Sequence, residues 1–170
     1  MDFLELAQNR YSVRSFSSTP VPSDLVEKIL RAAQLAPTAC DYQPVKVLVL
    51  TRKDALERFR RCTECHFEAP LAFIVCADKT ACWKRRYDGK ESGDIDASIV
   101  ATHMMLEASS LGVGSTWVMY FIPEAVRQEF ELPENLEPVA LLPMGFPSES
   151  AAPSPRHTER KPLSELVTML

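Results

Sequence analysis

Arg10, Ser12 and Arg14 alternate within RYSVRSF, so an extended backbone projects them to one side and sends Tyr11 and Val13 to the other. Two guanidiniums flanking a hydroxyl suit a phosphate group, whose oxygens planar forks bind in pairs. On spacing alone the plainer reading is a solvated basic edge. Arg160 and Lys161, far away in the tail, are the cations that would extend such a set into a pocket. A second polar group stands in PTACDYQP, where Pro37 and Pro44 close a segment carrying Thr38, Asp41 and Gln43. A loop pinned at both ends holds side chains in fixed directions, as a binding site requires; an ordinary connector fits the same residues.

Other chemistries find little support. There is no GxxxxGK[ST], and Gly112-Val-Gly114 lacks the third glycine and the preceding strand of a dinucleotide fingerprint. SFSSTP is hydroxyl-rich but does not follow an apolar strand. Neither GxSxG nor HExxH occurs; His66, His103 and His157 lie in unrelated contexts, and His103, within an apolar helical stretch, reads as a core histidine. Cys62-x-x-Cys65 beside His66 offers half a zinc site, with no second CxxC or HxxxH to complete it. If the chain is an enzyme, the difficult chemistry belongs to a cofactor.

Composition narrows the class further. With 46% hydrophobic and 25% charged residues among 170, the chain reads as one globular domain, neither disordered nor membrane-spanning. Its apolar runs, Leu71–Ala77 and Val139–Met144, are too short for a bilayer, and MDFLELAQNR puts acids where a signal peptide is basic. Five cysteines, an odd number, fit reduced thiols and a cytoplasmic location. A net charge of −4 argues against nucleic acid as partner, while a local basic cluster could still hold a small anion.

The elements that must position these residues follow from periodicity. Asp2 caps a helix over 3–9, with Phe3, Leu4, Leu6 and Ala7 on its apolar face; Ser23 caps another over 24–36, stopped by Pro37. Val45 to Thr51 and Leu71 to Ala77 read as strands, the second apolar enough to be buried on both faces, with a short charged helix over 54–61 between them. From 78 to 93 the chain is charged and irregular, with Trp83 and Tyr87 as its anchors. The stretch from Asp94 to Leu111 is a helix that is apolar or small on nearly every side, hence buried, either beneath a second subunit or within one large core. A strand over 115–119, a helix from Pro123 to near Phe130, and a buried strand over 138–147 ending in a Met-Gly turn complete the body. The tail is a Pro- and Ser-rich arm closed by an amphipathic helix over 163–169.

Taken in order, RYSVRSF, VEKILRAAQLAPTACDYQP, EAPLAFIVCAD, DIDASIVATHMMLEASSLGVGSTWV, LLPMGFP and ERKPLSELV resemble the FMN-dependent nitroreductase family in its short form, from Arg10 to Val167. The resemblance implies an α+β fold with a central mixed sheet flanked by helices. It implies a homodimer in which the long central helices pack together, the C-terminal arms of residues 150–170 are exchanged, and two FMN sites lie at the interface. By this resemblance Arg10, Ser12 and Arg14, with Tyr11 among them, would hold the FMN phosphate, and Arg160 or Lys161 would complete the cage. Pro37, Thr38 and Ala39, from the other subunit, would lie against the ring, with Gln43 near its pyrimidine edge. Leu142, Pro143, Met144 and Gly145 would pass the isoalloxazine, a backbone N–H there aimed at N5. Trp117 sits where the family often has tryptophan and suits a core role equally.

Family members move hydride from NADH or NADPH to flavin N5, then electrons to a nitroaromatic, quinone or enone. Other members of the same fold implied by the resemblance run different flavin chemistry, and a non-catalytic FMN-binding or sensing protein is the alternative from another class. Asp41 departs from the family pattern, which often has Asn there; a carboxylate near the pyrimidine edge opposes an anionic reduced ring or is itself protonated.

Overall fold

A computed structural model describes residues 2–170 of the chain. In chain order it contains α1 (Phe3–Asn9), α2 (Ser23–Leu35), β1 (Val45–Leu50), α3 (Lys53–Arg60), β2 (Leu71–Asp78), α4 (Gly93–Ser110), β3 (Gly114–Ser115), α5 (Pro123–Glu129), β4 (Leu136–Gly145) and α6 (Leu163–Leu166). The strands form one sheet in the order β1-β2-β4-β3, and every neighbouring pair is antiparallel. The expected mixed sheet is thus corrected. Among the described residues its parallel character is confined to a single bridge between Ser12 and Ser115, where RYSVRSF runs beside β3.

Strand β2 organises the rest, because LAFIVCA is apolar at each position and buried at each position. The two-residue period sends Phe73 and Val75 into the layer shared with α2 and α4, and Ile74 and Cys76 into the layer with α3 and α5. The result is helix, sheet, helix in three layers. Each such side chain removed from water contributes roughly 1.5–3 kcal/mol.

Helix α4 is less enclosed than its composition suggested. Ala97, Val100, Ala101, Met104 and Ala108 pack inward, so the small residues serve the chain's own core. The opposite face carries Ile95, which is 51% exposed, beside Ser98, Ile99, Thr102 and His103 along an open groove of about 450 Å³. A core built from one chain therefore leaves this face uncovered.

Four local expectations change. The strand over 115–119 shrinks to Gly114–Ser115 plus a bridge between Val118 and Leu141. Thr116 N donates to the Pro143 carbonyl at 3.3 Å, and Pro143 has no N–H to return on that side, so the ladder is interrupted there. Met144 and Gly145 form no turn but continue β4, Gly145 lying opposite Gly114. A Cβ on Gly145 would stand 2.8 Å from Pro70 Cδ, which is why glycine occupies a strand interior. Pro22, not Ser23, takes the cap position of α2, and the tail helix stops at Leu166, since Val167 is extended. By contrast, Asp2 caps α1 as expected, accepting from Glu5 N at 2.8 Å. β1 is an edge strand whose exposed Lys46 sits near its start. Among the described residues no helix is long and apolar enough to cross a membrane.

Candidate functional site

The segment around Ser12 is extended and docked: Val13 N donates to the Ser115 carbonyl at 3.0 Å, and the Val13 side chain is only 2% exposed. Alternation then leaves Arg10, Ser12 and Arg14 off the core. Arg10 and Tyr11 line a groove of about 150 Å³ whose other wall is Gly112, Gly114 and Ser115. Gly114 permits the close approach, since a Cβ there would meet a Val13 methyl at 2.6 Å. Arg14 donates to the Ser12 carbonyl at 3.2 Å. Among the described residues neither Arg10 nor Arg14 pairs with a carboxylate, whereas Arg52, Arg60, Arg61, Arg85 and Arg127 all do. Arg10 thus stands at this groove without a carboxylate, while Ser12 and Arg14 lie outside its lining.

The start of the tail docks along the same segment. Ser148 N donates to the Ser15 carbonyl at 3.1 Å, the two serine hydroxyls stand 2.7 Å apart, and His157 Nε2 lies 3.0 Å from the Gln8 carbonyl with its ring edge-on to Tyr11. Arg160 donates to the Glu159 carbonyl and Lys161 pairs with Glu165 at 3.5 Å, so neither is joined to Arg10 or Arg14 within one chain. Only Thr158, at the end of a short 3-10 turn, and the extended Glu159 separate Arg160 from His157.

The proline-bounded loop is folded tightly. Asp41 N donates to the Thr38 carbonyl at 3.0 Å, Gln43 N to Thr38 Oγ1 at 3.0 Å, and the Gln43 amide to Asp41 Oδ1 at 2.9 Å. Cys40, Asp41 and Gln43 have φ of 52°, 56° and 52°, left-handed values that cost a non-glycine residue about 1 kcal/mol or more each. Thr38 and Gln43 line a second cavity, of about 260 Å³, with Leu30, Ala33, Val45 and Val100. Pro37 is exposed and Ala39 half-buried. Sequence reasoning missed the residue that ties this loop down. Asp96, 1% exposed on α4, accepts from Ala39 N at 2.9 Å and from the Ser92 hydroxyl at 2.6 Å. Its signal was position: four residues before Val100, it lies on the helix face that is buried.

Leu142, Pro143, Met144 and Gly145 fall elsewhere. All four are buried in β4, Leu142 and Met144 in the core beneath α2 and α4, and Met144 lies between Leu71 on one side and Ser115 on the other. They line neither cavity; Met144 and Gly145 pair edge to edge with β3, which in turn bridges the Arg10 segment at Ser12. Trp83 is half-buried, but Tyr87 is 95% exposed and anchors nothing. The stretch around it is a hairpin held by Lys84–Glu91 and Arg85–Asp88 pairs. All five cysteines are free thiols; burial pushes Cys62 up to about 11 and Cys76 up to about 12, so neither is a ready nucleophile. No cluster of three metal-binding side chains occurs among the described residues.

Fold and grooves together define a three-layer α+β protein with an arginine-lined groove beside its N-terminal segment. Residues 7–72 and 64–146 match the model of the nitroreductase family, and the chain belongs to that family. A nitroreductase family protein from Clostridium difficile 630 is 44% identical in sequence, with a TM-score of 0.93 over 99% of this chain and 98% of its own. A relative from Methanothermobacter thermautotrophicus, provisionally named an NADH dehydrogenase/NAD(P)H nitroreductase, is 32% identical over 88% of this chain and 80% of its own length. An FMN-dependent nitroreductase from Clostridium difficile R20291 is 26% identical, with a TM-score of 0.76 over 87% of this chain and 89% of that one.

Proposed function

We propose that the protein is an FMN-dependent oxidoreductase of the cytoplasm that draws electrons from NADH or NADPH and passes them to a small planar acceptor such as a nitroaromatic, quinone or enone. The observation that carries this reading is Arg10, a guanidinium with no carboxylate partner, at a groove walled by glycine backbone, with Arg14, likewise without a carboxylate, farther along the same extended segment. A phosphate dianion fits that donor set; a neutral ligand would leave both cations unmatched. The names of the relatives support the cofactor and the reductant. Bound FMN would supply reversible hydride acceptance, and the chain supplies position and charge.

In this reading Arg10, Ser12 and Arg14 hold the phosphate, and Arg160 or Lys161 closes the cage. Pro37, Thr38 and Ala39 lie against the ring, while the Gln43 amide and the Asp41 carboxylate meet its polar edge. Leu142 to Gly145 act from the neighbouring strand by holding β3 in place. A homodimer completes the site: the open face of α4 at Ile95 and Ile99 and the exposed tail residues Leu163, Leu166, Val167, Met169 and Leu170 are the apolar surfaces a second copy would cover, with the arms exchanged.

The test is optical. The purified protein is expected to be yellow and to bleach when NADH or NADPH is added under nitrogen, with reoxidation by members of an acceptor panel. Arg10→Glu combined with Arg14→Glu should give a folded, colourless protein; full flavin occupancy in that double variant refutes the phosphate assignment. Bound flavin that neither nicotinamide reduces would mark a binding or sensing protein instead.

A further inference from the structure

We infer that Asp96 is the positioning residue of the 37–44 loop, a buried tether that holds Asp41 and Gln43 in the one direction from which they can address the ring. The inference rests on the reading of that loop as a flavin contact. Three left-handed residues in four positions do not hold themselves; such a conformation persists only where surrounding contacts over-determine it. Within the loop the bonds to Thr38 close a small ring, but they leave its orientation relative to the body free. From the body, Asp96 Oδ1 takes the Ala39 N–H, and Asp96 Oδ2 is held by Ser92, the residue capping α4. The helix end is itself wedged in place, because Gly93 presses so closely on Cys82 that a Cβ would stand 2.6 Å from its sulfur. A chain of contacts thus runs from β2 through Gly93, Ser92 and Asp96 to Ala39.

An acid at this depth is costly without full hydrogen bonding, and Asp96 has no cation among its partners. Its two oxygens serve the loop and the cap instead. An asparagine preserves both contacts, since its carbonyl accepts from Ala39 and its amide donates to the Ser92 hydroxyl; an alanine preserves neither.

The experiment compares wild type, Asp96→Asn, Asp96→Ala and Ala39→Pro. The last deletes the donor while leaving the acid, and Thr38, extended at ψ 162°, tolerates a following proline. Hydrogen exchange is measured on the flavin-free chain, followed by FMN titration and the visible spectrum of the complex. Asp96→Ala and Ala39→Pro should each speed exchange at Asp41 and Gln43 by about tenfold or more, weaken FMN by about tenfold and move the bound spectrum toward free flavin, while Asp96→Asn stays within about twofold of wild type. If Asp96→Ala fails to fold, Ala39→Pro decides. Unchanged exchange in Ala39→Pro, or an Asp96→Asn that behaves like the alanine, overturns the tether. Wild-type protein that binds no FMN overturns the proposed function while the exchange result still tests the tether; faster exchange with wild-type FMN affinity and spectrum refutes its link to the ring.

Discussion

At the scale of single residues, charge near the proposed ring edge is the sharpest handle. The Asp41 carboxylate accepts from the Gln43 amide and pairs with no cation among the described residues, so it is oriented but not neutralised. Added electrons make the ring more negative, and a nearby carboxylate opposes that; Asp41→Asn should therefore raise the midpoint potential of bound flavin by roughly 20–40 mV, readable by dye equilibration. The buried thiols give a pH prediction. Cys62 ionises at about 11 and Cys76 at about 12 in the folded chain, against 9.0 when exposed. The folded state keeps these protons longer than the unfolded one, so their contribution to stability is intact below pH 9 and lost as pH rises through 11 to 12. Melting temperature should fall across that window, and Cys76→Ala should fall less steeply. At pH 8 the exposed Cys40 should be the fast thiol toward maleimide. Legibility at this scale followed exposure: RYSVRSF alternated as its spacing required, whereas Asp96 was hidden because an acid in a helix's first turn looks like an ordinary favourable surface charge.

At the scale of elements, close approach between β3 and the Arg10 segment decides the site. Gly114→Ala would put a methyl 2.6 Å from one Val13 methyl and 2.9 Å from its Cβ, and a β-branched side chain pressed at its root cannot rotate aside. The substitution should cost about 1–3 kcal/mol in urea unfolding and, on the proposed phosphate site, weaken FMN, because Val13 lies between Ser12 and Arg14. Helix and strand boundaries were largely readable, since α2 carries strong helical periodicity, β2 is an unbroken apolar run over Leu71–Ala77, and α4 is apolar or small on nearly every side. Gly145 was misread as a turn because glycine is the commonest punctuation of a chain, and only the presence of Pro70 against its Cα reveals the other use. Likewise the short β3 follows from a missing N–H at Pro143, a partner that lies far along the chain.

At the scale of the whole molecule, the uncovered face of α4 and the apolar tail carry the expectation of a pair. Sedimentation should find twice the 19.1 kDa of one chain, and Ile95→Glu with Ile99→Glu should give a monomer that holds flavin poorly. The α+β class was implied by the family resemblance, while local patterns gave the separate helices and strands; the antiparallel sheet order was not legible, because no local pattern states which strand lies beside which. The two borders of that sheet differ in a way that bears on solubility during synthesis. One is the two-residue β3, already occupied by Ser12; the other, β1, offers six residues of main chain along VKVLVL. Its lone lysine acts as a gatekeeper: a foreign strand adding there would have to bring its own side chains against a solvated ammonium, which discourages fibril-like stacking. Lys46→Val would remove that safeguard without touching the flavin, and its expected signature is loss of soluble yield with unchanged spectral properties in whatever remains.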